Sequence, residues 1–64
     1  MLPKKWTGTL VGFMHEHCIS QIQLANELGL STKYVSMVLN GHRDPADAEE
    51  RFTAAAKRIA GIKE

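Results

Sequence analysis

His15, His17, Cys18 and His42 are the side chains of this sequence with the chemistry of transition-metal ligands. His15 and Cys18 stand three apart and share a helix face, whereas His17 points elsewhere. No paired cysteine spacing accompanies them. No metal is expected, and Cys18 is read as a small buried hydrophobe. His15 and Glu16 are neighbours on a helix and cannot jointly orient a nucleophile. No glycine-rich phosphate loop is present, so the chain is read as a non-enzyme that needs no cofactor. A different chemistry is offered between Ser31 and Arg43. Ser31, Thr32, Lys33, Ser36 and Asn40 bring hydroxyls, an ammonium and a carboxamide into one short stretch, and His42 and Arg43 close it.

The chain that must position these groups has 64 residues, 44% of them apolar and 23% charged, and a single cysteine. That profile predicts one globular domain over residues 1–64 with a modest core. No apolar run approaches the ~20 residues of a membrane span. The segment Met1–Trp6 lacks the pattern of a signal peptide. With one cysteine and no internal disulfide, a reducing cytoplasmic setting is expected. A substrate pocket of ordinary size is hard to enclose in so short a chain. Net charge is only +1. The first two thirds are mildly basic and the last third mildly acidic, so binding to an anionic polymer would rely on a small patch.

No strand alternation is visible, and four helices are predicted. The first starts between Pro3 and Thr7 and runs to about His17, with Trp6, Leu10, Phe13 and Met14 toward the core. Gly8 and Gly12, four apart on one face, suggest close approach of another helix or of a partner. The second helix opens on a capping box, Ser20 with Gln23, carries Ile22, Leu24, Ala25 and Leu28, and ends at Gly29. Ser31 caps the third helix, about Thr32 to Asn40, whose apolar positions are Val35, Val38 and Leu39. Gly41 closes it. The fourth is predicted from an Asp44 cap and Pro45 at the first helical position through Ile62. Its apolar stripe is Ala48, Phe52, Ala55, Ile59 and Ile62.

Two short helices joined by a three-residue turn containing glycine form a helix-turn-helix unit. The internal pattern is tighter than that. Ala25 must be small where the third helix crosses, and Gly29 supplies the turn. Leu24, Leu28, Leu30, Val35 and Val38 fill the wedge. The stretch Gln21-x-x-Leu24-Ala25-x-x-Leu28-Gly29-Leu30-Ser31-x-x-x-Val35-Ser36-x-x-x-Asn40-Gly41, followed by basic Arg43, resembles the DNA-binding unit of lambda-repressor-like proteins, the Cro-type or Xre family. The resemblance is close over residues 21–43 and looser over the flanking helices. It implies a compact all-α four-helix domain that recognises double-stranded DNA, usually as a dimer on a two-fold operator. Where family members commonly carry a fifth helix, one longer fourth helix is predicted here.

From that resemblance the third helix is expected in the major groove. Lys33 would reach guanine acceptors, Ser31, Thr32 and Ser36 would bond bases or phosphate, and Met37 would press a thymine methyl. Gln21 is placed at a helix N-terminus for a phosphate. Tyr34, His42, Arg43, Lys4 and Lys5 are expected backbone contacts, and Asn40 either touches DNA or satisfies the helix end. The resulting expectation is a small transcriptional regulator, a repressor resembling those of phages and bacterial mobile elements. A homodimer contact is expected in the second half of the fourth helix, at Ala56, Ile59 and Ile62. The rival reading is a protein-interaction module, antitoxin-like or antirepressor-like, on the same scaffold. The bland one is that Thr32, Lys33 and Ser36 are only a solvated helix face.

Overall fold

The computed structural model describes residues 5–61. It contains four helices: α1 Lys5–Glu16, α2 Gln21–Leu28, α3 Thr32–Leu39 and α4 Ala48–Ala60. The all-α, four-helix expectation holds, and no strand occurs among the described residues. None of these helices is long and apolar enough to cross a membrane.

Local chemistry explains each boundary. At the start of α2, Ser20 Oγ accepts from the Gln23 backbone N–H at 3.1 Å, and Gln23 Oε1 accepts from the Ser20 N–H at 2.8 Å. At the start of α3, Ser31 Oγ accepts from the Tyr34 N–H at 3.1 Å. The first three helices all stop by one device, a left-handed residue just past the helix with two backbone bonds folded over it. In α2 that residue is Gly29, φ 71°, and the Leu30 N–H reaches Ala25 O at 2.9 Å. In α3 it is Gly41, φ 85°, and the His42 N–H reaches Met37 O at 2.8 Å. In α1 it is Cys18, φ 57°, and the Ile19 N–H reaches Met14 O at 2.8 Å.

Cys18 therefore departs from expectation. Its side chain is exposed, and the residue after it, Ile19, joins the core instead. A side chain in the left-handed region carries a backbone penalty that glycine avoids.

The core is shared by all four helices. Leu10 and Met14 come from α1, Leu24 and Ala25 from α2, Val35, Val38 and Leu39 from α3, and Ala48, Phe52, Ala55 and Ala56 from α4. Phe52 is the largest fully buried side chain, and Trp6 meets it edge-on with ring centroids 6.1 Å apart. Trp6, Phe13, Leu28, Leu30, Tyr34 and Ile59 pack around this centre, each partly buried. Thr7 also lies inside at 1% exposure. Its position on the same face as Leu10 and Met14 decides this, not its polarity.

Several expectations change. Ile22, placed among the apolar positions of α2, is 61% exposed. Gly8 and Gly12 are exposed, and a Cβ built on either meets nothing within 4 Å. No helix among the described residues approaches closely there.

The fourth helix starts at Ala48, not Pro45. Pro45 instead gives its carbonyl to the Ala48 N–H at 3.2 Å in a turn. Asp47 is the residue before the first turn, and its side chain caps nothing. Those residues are used in bridging from the end of α3 to the buried Ala48. α4 stops at Ala60 with Gly61 beyond it, so it spans 13 residues.

The dimer contact predicted on α4 is corrected at Ala56, which is 0% exposed and belongs to the core of its own chain. Ile59 is partly buried against the same core. Ile62 lies outside the described residues.

Two stability outcomes follow. Cys18→Gly relieves the left-handed penalty at an exposed position, offset in part by added freedom of the unfolded chain. It should stabilise by up to about 1 kcal/mol, or about 4–8 °C in Tm at that limit, read by thermal circular dichroism. Ser20→Ala should instead cost about 1 kcal/mol in urea titration, since it removes half of a reciprocal cap.

Candidate nucleic-acid interface

The stretch from His17 to Arg43 contains Glu27 as its only acidic residue, alongside Lys33 and Arg43. Glu27 is occupied: Arg58 of α4 donates from Nε to Glu27 Oε2 at 2.8 Å. This bond joins α2 to α4 and offsets the only negative side chain of the stretch. Neither Lys33 nor Arg43 is held in an ion pair among the described residues.

Burial sorts α3 cleanly. Val35, Val38 and Leu39 face inward. Thr32, Lys33 and Asn40 are exposed, and Ser36 and Met37 are half-buried. Positions 32 and 36, 33 and 37, and 36 and 40 are each one turn apart, so these five form one continuous polar strip with Met37 along its edge. Ser31, exposed at the head of the helix, spends its hydroxyl oxygen on the cap. Tyr34 is displaced from the expected set: its side chain packs partly against the core, because it neighbours the inward Val35 and Val38 around the helix.

The carboxamide of Asn40 has a definite job. Its Nδ2 donates to the Ser36 carbonyl oxygen at 2.8 Å and to Ser36 Oγ at 3.2 Å. The Asn40 backbone N–H also reaches Ser36 O, at 3.0 Å. The helix-end role is therefore the one Asn40 fills.

The other expected contacts divide. Gln21 is half-buried at the first position of α2, and His42 and Arg43 are exposed just past α3. Lys5 is not brought to the α3 strip. It lines a groove of about 570 Å³ formed by Trp6, Thr9, Leu10 and Phe13 of α1 with Glu49, Thr53 and Lys57 of α4, to which neither α2 nor α3 contributes. The edge contact of Trp6 with Phe52 turns this end of α1 toward α4. Lys4 lies outside the described residues.

No group of three or more metal-binding side chains assembles among the described residues. The ring of His17 lies tilted by 39° against Phe13, with centroids 4.4 Å apart. Two features escaped the sequence. The Glu27–Arg58 bond spans 31 positions, and no local spacing announces it. The Asn40–Ser36 bonds are one turn apart, a spacing that could have suggested them.

No family model, no curated protein and no solved structure matches this chain.

The exposure of both partners, 54% and 36%, limits what the Glu27–Arg58 bond contributes to stability. A double-mutant cycle on Glu27→Gln and Arg58→Ala in urea should give a coupling below about 1 kcal/mol. A value well above that would mean the bond, and not the core, sets how α2 sits on α4.

Proposed function

We propose that this chain binds double-stranded DNA as a small transcription regulator, laying α3 in the major groove. One observation carries the reading: α3 is locked to the core by one face and carries on the other a continuous polar strip, with Thr32, Lys33 and Asn40 exposed and Ser36 half-buried. A groove 12 Å wide accepts a helix presented in this way. The Ser31 cap and the three-residue turn hold the N-terminal end of α3 outward, the end from which such helices reach base edges. Lys33 supplies donors for base acceptors. Gln21 at the start of α2, and His42 and Arg43 just past α3, serve as phosphate contacts that set register. The resemblance of Gln21–Gly41 to lambda-repressor-like proteins points the same way.

A protein partner is the second reading, and the exposure of Ile22 beside Gln21 favours it. Salt separates the two. Each phosphate neutralised releases counterions and steepens the fall of affinity with ionic strength.

Fluorescence anisotropy on a mixed-sequence duplex at about 50 and 200 mM salt is the test. Wild type should bind and weaken steeply as salt rises. Arg43→Ala should weaken all sequences alike and reduce the salt slope by about one. Lys33→Ala should also weaken binding, and on a selected duplex it should relax base preference. Absence of binding at low salt would overturn the DNA reading.

A further inference from the structure

Ser36 stands in the middle of the α3 strip, and the state of its hydroxyl is unusually well defined. A backbone carbonyl can only accept, so the Asn40 atom facing Ser36 O at 2.8 Å is the amide nitrogen. The same nitrogen lies 3.2 Å from Ser36 Oγ. Ser36 Oγ is therefore an acceptor on its helix side. A hydroxyl has one proton and two lone pairs. With a lone pair turned to Asn40, the proton is directed away from that amide. No acceptor within the described residues receives it: neither the preceding turn of α3 nor any other element takes a bond from Ser36 Oγ.

The amide nitrogen of Asn40 is, by the same geometry, committed to Ser36, while its Oδ1 takes no bond among the described residues and still accepts. Lys33, one turn before Ser36, brings donors and no acceptor. Lys33 and the outward proton of Ser36 thus place two donors next to one another at the centre of the strip. In the major groove, guanine is the base that shows two acceptors, N7 and O6, and no donor.

Resting on the DNA reading above, we infer that Ser36 is a specificity-determining residue that donates its hydroxyl proton to guanine N7. Asn40 is the positioning residue that fixes Ser36 as a donor. Thr32 lacks such a lock, since its hydroxyl takes no bond from a neighbouring side chain among the described residues. Ser36, and not Thr32, is where base identity is read with fixed polarity.

The experiment starts from a randomised duplex library selected with the wild-type chain. The enriched duplex is then prepared with each guanine of the site replaced in turn by 7-deazaguanine, which keeps pairing and O6 but lacks the N7 acceptor. Affinity is measured by anisotropy, and the readout is the ratio of affinities for the natural and the deaza duplex. Wild type should lose roughly three- to tenfold at one guanine, the effect of a single neutral hydrogen bond. Ser36→Ala should bring that ratio to about one while remaining folded by circular dichroism.

Asn40→Asp is the diagnostic variant. A carboxylate there accepts only and turns the Ser36 proton inward, so the ratio should collapse even though Ser36 is intact. The added negative charge weakens natural and deaza duplexes alike and drops out of the ratio. A purely helix-capping role for Asn40 would leave the ratio at its wild-type value and would overturn the positioning claim. A wild-type ratio of one at every guanine, or an unchanged ratio in Ser36→Ala, would overturn the guanine N7 contact while leaving DNA binding in place. Failure of the wild type to enrich any sequence would overturn sequence reading and this inference with it.

Discussion

The buried centre formed by Phe52, Leu24, Val35 and Val38 is the constraint on which everything else depends. The reason is helix length. α2 and α3 have eight residues each, and isolated helices shorter than about 12–15 residues are marginal in water. Neither can form without the side chains of α4 and α1 beneath it. The exposed face of α3 therefore keeps its form only because its other face is buried, so stability and presentation of the polar strip are one property. Any change that loosens Val35 or Val38 would disorder Lys33 and Ser36 as well.

Small chains have little core to spare, and this one compensates at its helix ends. Two serines satisfy orphan amides at the starts of α2 and α3, and paired backbone bonds close α1, α2 and α3. Sharp ends let eight-residue helices follow one another through a turn of only three residues. They also settle which residues lie outward. Shifting the start of α3 by one residue would rotate Lys33 about 100° around the axis, given 3.6 residues per turn. Capping thus decides which side chains of α3 are presented outward.

Electrostatics follow the same economy. The net charge is small, so attraction to a polyanion rests on where charge is left unopposed. Glu27 is offset by an arginine from α4. The acids of α4 are gathered in its first turn, where the helix dipole favours them. Arg51 is partnered by Asp47, the residue just before that helix, at 3.8 Å. Lys33, within α3, and Arg43, just past it, are in no ion pair among the described residues.

Periodicity and end signals were enough to place four helices. Leu24, Ala25, Gly29, Val35 and Val38 sit as their spacing required, because local capping and a buried stripe are short-range properties. The start of α4 was misread, since Asp44 and Pro45 form a locally valid cap that loses to the need to bridge from α3 and bury Ala48. Ala56 looked available for a second chain and is instead enclosed, because the packing of α1 and α2 on α4 decides which alanines are covered. Cys18 looked buried and is outside, its place set by a left-handed backbone that no composition rule signals. Thr32, Lys33 and Ser36 were legible as an outward strip from helical spacing alone. Only the folded chain sent Lys5 to the α1–α4 groove, tied Glu27 to a residue 31 positions away, and gave the Asn40 amide to Ser36. Those outcomes depend on which elements meet in space, and contacts between distant positions or between competing hydrogen-bond partners leave no mark in the order of residues.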